Sequence, residues 1–412
     1  MSWERLRLDE LGTVARGKSR HRPRNDPSLY GGKWPFFQTG DVKAAELYLR
    51  VFGQTYNDAG LAQSKLWPPD TLCITIAANI AETAILARPG CFPDSIVGFR
   101  ADPARADVRY VKYLIDTLKL GMQNVSRGTT QDNLSLDKLL SFQMHVPPLD
   151  EQRRIALILS AYDNLIENNT RRIAILEEMA RRIYEEWIVH FHFPGHEHVR
   201  MVESELGSIP AGWRWVKLKE VAHVNQRSIK RDREPEQIVY VDISSVATGS
   251  INKKEAMAYE AAPGRARRIV ADGDVIWACV RPNRKSFSLV LDPEPNLIVS
   301  TGFAVLSAVA VPWTFLHQAV TTDDFVAYLT NHAKGAAYPA VGAEDFENAE
   351  LILPDGATLG ALNDAAEPMA RLISALHRNN INLRTTRDLL LPKLISGELD
   401  VSALPEPEAV AA

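Results

Sequence analysis

Apolar residues follow two different spacings along this chain, and each spacing occurs twice. Short apolar runs such as Leu72-Cys73-Ile74-Thr75-Ile76 and Val275-Ile276-Trp277-Ala278-Cys279-Val280 are bounded by Gly, Pro, Asn and Asp, which predicts strands. A different rhythm then begins. Positions 155, 159, 162, 166, 169, 173, 176, 180, 183 and 187 carry Ile, Leu, Tyr, Ile, Asn, Ile, Leu, Ala, Ile and Trp. Positions 359, 362, 366, 369, 373, 376, 380, 383, 387, 390 and 394 carry Leu, Leu, Ala, Met, Ile, Leu, Asn, Leu, Arg, Leu and Leu. Steps of four and three held over several heptads predict coiled-coil helices, with amphipathic surface helices as the plain alternative. Pro368 and Pro392 lie inside the second pattern, so that helix is expected to start or kink near Pro368 and to loosen at its end.

The chain also repeats itself. Trp3-Glu4-Arg5-Leu6-Arg7-Leu8-Asp9-Glu10-Leu11 matches Trp213-Arg214-Trp215-Val216-Lys217-Leu218-Lys219-Glu220-Val221 at an offset of 210. Pro35-Phe36-Phe37 aligns with Val239-Tyr240-Val241, Asn79 with Asn283, and Gly98-Phe99 with Gly302-Phe303, at an offset of 204. Arg127-Gly128 aligns with Lys334-Gly335, Leu139 with Phe346, and Val146-Pro147 with Leu353-Pro354, at an offset of 207. Ordered blocks at a nearly constant offset indicate one unit present twice.

The expected class is therefore α+β: two duplicated globular heads of mixed sheet and short helices, separated by two long antiparallel coiled-coil helices. The expected boundaries are a first head at 1–150, a long helix at 151–190, a linker at 191–212, a second head at 213–357, a second long helix at 358–400 and a tail at 401–412. At ~1.5 Å rise per residue, a helix of about 33 residues reaches roughly 50 Å, enough to hold two heads apart. In an antiparallel pair the seam residues Asn169 and Asn380 fall in one layer, where each amide can satisfy the other and fix the register.

Bulk composition changes this picture little. A chain of 412 residues suits two or three domains, and 46% hydrophobic with 24% charged residues is ordinary for a soluble protein. No stretch approaches a spanning helix and no signal peptide opens the chain, so a cytoplasmic location and no membrane partner are expected. Cys73, Cys91 and Cys279 form no C-x-x-C pair, which removes a disulfide framework and a cysteine zinc site. The net charge of −4 argues against a nonspecific polyanion binder, although a local basic face would be hidden in it. Arg16, Lys18, Arg20, Arg22 and Arg24 form such a face, expected on a loop because of Pro23 and Pro27. Arg227, Lys230, Arg231 and Arg233 lie at the same place in the second unit, with Arg284 and Lys285 further on.

Candidate chemistry is sparse. Gly12-Thr13-Val14-Ala15-Arg16-Gly17-Lys18-Ser19 spells a phosphate-binding loop, but the residues before it are charged, those after it cannot open a helix, and the second unit lacks it. His190, His192, His196 and His198 offer metal-ligand chemistry at a spacing that fits no known zinc module. No nucleophile elbow, H-E-x-x-H, Gly-rich cofactor-binding turn or N/D-P-P-Y/F tetrapeptide of amino-methyltransferases is present, so neither a catalytic site nor a bound metal or cofactor is expected.

Three segments point to a family. Arg127-Gly128-Thr129-Thr130-Gln131-Asp132-Asn133-Leu134-Ser135, running through Val146-Pro147-Pro148-Leu149-Asp150-Glu151-Gln152, resembles the conserved region of the specificity subunits of type I restriction-modification systems. Leu390-Leu391-Pro392-Lys393-Leu394-Ile395-Ser396-Gly397-Glu398-Leu399 resembles that family's C-terminal signature, and Trp187 to His196 its inter-domain junction. The second unit departs from the pattern at Ala336-Ala337-Tyr338-Pro339-Ala340. The resemblance implies two target-recognition domains, each reading half of a split, asymmetric sequence in double-stranded DNA, with Thr129, Thr130, Gln131 and Asn133 among the contacts. It further implies two modification subunits that methylate adenine with S-adenosylmethionine, and restriction subunits that use ATP and Mg2+. Other readings are the recognition subunit of a restriction enzyme whose partner fuses methylation and cleavage, a phosphate-loop nucleotide-binding enzyme, and a purely structural coiled-coil adaptor.

Overall fold

The structure is a computed structural model that describes residues 3–21, 23–127, 134–205, 207–230 and 232–403. It divides into two compact units: residues 1–170 with 378–412, and residues 171–377. Each unit thus takes one part of each long helix.

In the first unit a five-stranded sheet places Gly12–Arg16, Ile96–Ala101, Leu72–Thr75, Thr83–Leu86 and Tyr48–Leu49 side by side. In the second, Ala222–Val224, Phe303–Ala308, Val275–Ala278 and Phe287–Leu289 form a four-stranded sheet in the same order. The two central strands, fully buried, are the apolar runs that marked each unit in the sequence. At the ends of the units Leu6 pairs with Met144 and Val216 with Leu351, so the matches at the first and last blocks agree with strand register. The Gly98–Gly302 match does not. Leu72 faces Phe99 and Val275 faces Leu306, which makes Val305 the counterpart of Gly98. Gly302 lies just before its strand, so the shared Gly-Phe dipeptide is displaced by an insertion between the blocks.

The phosphate-loop spelling lies on an edge strand rather than a loop, since Gly12 to Arg16 pair with Ala101 to Val97. Gly17 is needed there for room: a Cβ would stand 2.3 Å from the Pro93 carbonyl oxygen and 2.4 Å from that of Phe92.

The first long helix runs Leu149–Tyr184 and continues as a π-helical turn, Glu185–Val189. The second runs Gly356–Ile395, through Pro368 and Pro392. Its early start corrects the expectation drawn from Pro368: the Asp355 carboxylate accepts the N–H groups of Ala357 and Thr358 at 2.9 and 3.0 Å and caps the first turn. Pro368 faces solvent, where water can satisfy the carbonyl its ring leaves without a donor. Every seam position of the second pattern is buried or half-buried.

Within the first unit the two helices pack antiparallel. Ile155 and Leu159 share a core with Leu394 and Ile395, and Asn169 Nδ2 donates to Asn380 Oδ1 at 2.9 Å, both amides being buried. The heptad pattern places Tyr162 in the seam, but the fully buried neighbour is Asp163. Its carboxylate pairs with Arg387 and accepts the Tyr113 hydroxyl. Burial opposes the Arg387 charge, yet Asp163 beside it raises that guanidinium's pKa above the ordinary arginine value. Burial, reinforced by Asp163, likewise raises the Tyr113 phenol. Glu46 binds Arg384 and Arg387 and ties the head to the same helix.

A methyl at Gly17 would meet rigid backbone, whereas one at Gly40 would meet nothing within 4 Å. Gly17→Ala should cost about 1–3 kcal/mol, and Gly40→Ala close to nothing. Calorimetry should show the first unit's transition falling by ~2–4 °C per kcal/mol in the Gly17 variant only. Equal midpoints would show that Gly17 is not sterically required.

Candidate nucleic-acid interface

Beyond Arg16 the chain stays extended. Gly17 N–H reaches Ile96 O at 2.8 Å and Lys18 N–H reaches Phe92 O at 3.0 Å, while Gly17 and Ser19 are buried. Side chains alternate in an extended segment, so Arg16, Lys18 and Arg20 share the outward face. The expected basic loop is therefore, over its first half, an extended edge. None of these three side chains is ion-paired among the described residues. Gln63 Oε1 accepts the Arg20 N–H at 2.6 Å and fixes the bend that follows. Arg24 differs, being paired with Asp94, and Arg22 lies outside the described residues.

The second unit uses its cations differently. Arg227 is spent internally: its Nη2 lies 2.5 Å from the buried Asp274 carboxylate and 3.1 Å from Ser307 Oγ. Lys230 and Arg284 are exposed without an ion pair among the described residues, Lys285 pairs with Asp323 at 2.6 Å, and Arg231 lies outside the described residues. Sequence proximity thus overstated the likeness of the two basic segments. The signal for Arg227 was a carboxylate 47 residues away, which no local pattern reveals.

Each central strand leads into a loop with two non-glycine residues in the left-handed region, Ala78 and Ala81 in one unit (φ 64° and 60°) and Arg281 and Lys285 in the other (φ 54° and 53°). Conformations of that kind cost energy and persist where the surroundings enforce them. One enforcing contact is duplicated: Leu134 N–H bonds to Ile76 O at 2.9 Å, and Val341 N–H bonds to Cys279 O at 3.0 Å. The segments Thr129, Thr130, Gln131, Asn133 and Ala336 to Ala340 precede those two anchors. The first of them lies outside the described residues, and the second closes over the Arg281 loop.

Residues 1–178 match the family model described as Type I restriction modification DNA specificity domain. Over 98% of this chain and 94% of the relative, the sequence is 23% identical to the type I restriction enzyme MjaIX specificity subunit of Methanocaldococcus jannaschii. The MjaVIII specificity subunit of the same organism is 21% identical over 81% of this chain and 80% of its own length. The chain is thus similar, in its first 178 residues and over nearly its whole length, to type I restriction specificity subunits. In fold it is similar to the crystal structure of a type I restriction-modification S subunit from M. genitalium, with a TM-score of 0.62, 16% identity, and 95% and 96% of the two chains covered.

Specificity subunits of that family are in general non-catalytic. Among the described residues no cluster of three His, Cys, Asp or Glu side chains is arranged to hold a metal, His190 to His198 included. No helix among them is long and apolar enough to cross a membrane.

If these cations meet phosphates, neutralising Arg16, Lys18 and Arg20 together should weaken binding to every DNA sequence alike and lower the salt slope by ~0.9 for each phosphate no longer neutralised. Arg227→Ala should act differently, leaving the buried Asp274 carboxylate with the Ala271 N–H at 2.7 Å but without its counter-charge, and costing roughly 2–3 kcal/mol of stability, less than a fully buried pair. Binding titrations over a salt series, with denaturation curves for both variants, separate the two roles. An unchanged salt slope in the triple variant would assign the first three cations to solvent.

Proposed function

We propose that this chain is the DNA-reading subunit of a type I restriction-modification complex, in which each head reads one half of a split, asymmetric target. The observation that carries this reading is the duplicated sheet: two units keep one ladder order and one set of end pairings while their intervening loops and basic residues differ. A shared framework with divergent loops suits two related sites that must recognise different half-sequences. In this reading the long helices determine the unread spacer, and two modification subunits methylate adenine with S-adenosylmethionine. Restriction subunits supply ATP- and Mg2+-dependent translocation and cleavage. The chain itself binds none of these cofactors and acts in the cytoplasm. The edge-strand setting of Gly12 to Arg16 supports the absence of nucleotide chemistry, since phosphate loops need a helix N-terminus directly after the glycine-rich turn.

Exchanging residues 1–150 for the corresponding region of another specificity subunit should change one half of the methylated motif and preserve the other, as read by methylome sequencing of cells carrying the complete system. A motif changed in both halves, or in neither, would show that the heads do not read independently.

A further inference from the structure

The second unit lacks the Thr-Thr-Gln-x-Asn segment and has Lys334-Gly335-Ala336-Ala337-Tyr338-Pro339-Ala340 in its place. Lys334 and Ala340 exchange both backbone hydrogen bonds at 2.9 Å, which closes the loop at its base. Gly335 takes φ 106°, a value that a side chain would resist. Arg281 then holds the loop from below. Its N–H donates to Pro339 O at 2.7 Å, its Nη2 donates to Ala337 O at 3.2 Å, and its guanidinium lies 4.8 Å from the centre of the Tyr338 ring.

Tyr338 is nevertheless 70% exposed, with the small side chains of Ala336 and Ala337 beside it. An aromatic ring held by its backbone and by a cation, yet left in water, is presented rather than packed. Its ordering cost is already met before any partner arrives.

Charge narrows the choice of partner. Neither Cys279 to Ser286 nor Lys334 to Gly342 contains a carboxylate. Of the four cations on these loops, only Lys285 has an ion-pair partner, Asp323, while Arg281, Arg284 and Lys334 have none among the described residues. Arg281, Arg284 and Lys334 thus leave an excess of positive charge on the two loops, while Asp323 and Asp324 open the helix packed against Pro282–Arg284 and neutralise Lys285. A protein partner would be expected to meet a wider apolar area with fewer charges at its centre. A duplex offers phosphates to the cations and base edges to the ring.

We propose that the Lys334–Ala340 loop, with Tyr338 at its tip and Arg281 beneath it, is the element by which the second unit enters a groove of its half-site, Arg284 and Lys334 holding the flanking phosphates. This rests on the DNA-reading function proposed above. Tyr338 then contributes to sequence discrimination, and Arg284 and Lys334 to affinity for any sequence.

The test uses the full chain assembled with its modification subunits and three duplexes: the methylated motif found in cells, the same duplex scrambled in the second half-site, and one scrambled in the first. Tyr338→Ala should leave assembly intact and weaken the intact motif roughly tenfold, the size of a single base-edge interaction. Its binding to the second-half scramble should equal that of the unaltered protein. Tyr338→Phe should recover most of the affinity if the ring is the contacting group. Arg284→Ala with Lys334→Ala should weaken all three duplexes and lower the salt slope by ~0.9 for each phosphate released. If Tyr338→Ala binds all three duplexes like the unaltered protein, or fails to hold the modification subunits instead, the loop is not a reading element. If the unaltered complex does not distinguish the three duplexes, the DNA-reading function itself fails and the loop proposal falls with it.

Discussion

A carboxylate without solvent, Asp163, must be paired wherever it is buried, and in the first unit that requirement brings three elements together. Arg387 supplies the charge from the second long helix, Tyr113 a hydroxyl from the head, and Glu46 a second carboxylate for Arg387 and Arg384. Buried pairs of this sort add little net stability, because desolvation offsets most of their attraction, but breaking one is costly. Their effect is selective. A one-residue slip of either helix would separate Asp163 from Arg387 and the Asn169 amide from Asn380, whereas Ile155, Leu159, Leu394 and Ile395 would tolerate other apolar partners. The polar layer distinguishes one antiparallel alignment from its neighbours, and the apolar layers supply most of the burial.

Each by itself, the duplicated heads follow a common rule: what is shared faces inward and what differs faces out. Both units pair their first and last strands, and both anchor the segment after the central hairpin to the strand end through one backbone hydrogen bond. Their solvent-facing residues diverge, with an extended cationic edge in the first and a Tyr-Arg loop in the second. The proposed DNA-reading function needs that division, since the framework must survive changes in the residues that read sequence.

Much of this was legible in the sequence, because periodicity reports burial directly. The heptad positions of the second helix, the buried strand runs and the end blocks of the repeat all correspond to observed elements. Other features were not legible, for separate physical reasons. The heptad frame assumes an apolar seam, so it selected Tyr162 over the buried Asp163, whose partners lie 50 and 224 residues away. Pro368 reads locally as a helix breaker, but capping by Asp355 and a solvent-facing position let the helix pass through it. A shared Gly-Phe dipeptide outweighed strand register in aligning Gly98 with Gly302. The alternation of Arg16, Lys18 and Arg20 with Gly17 and Ser19 was a visible two-residue period, hidden by the prolines that follow. The sequence marked the segment holding Tyr338 as a departure from the pattern but not the exposure of its ring, which is a property of the closed loop.

The dependence of the helix pair on its polar layer is open to direct measurement. In a double-mutant cycle on the full chain, Asn169→Leu and Asn380→Leu should each cost about 1–3 kcal/mol by stranding the partner amide. The double variant, with both amides gone, should be more stable than the sum of the two changes implies, by at least ~1 kcal/mol. Additivity within ~0.5 kcal/mol would mean that the two amides do not depend on each other, and that the helices hold their alignment without them.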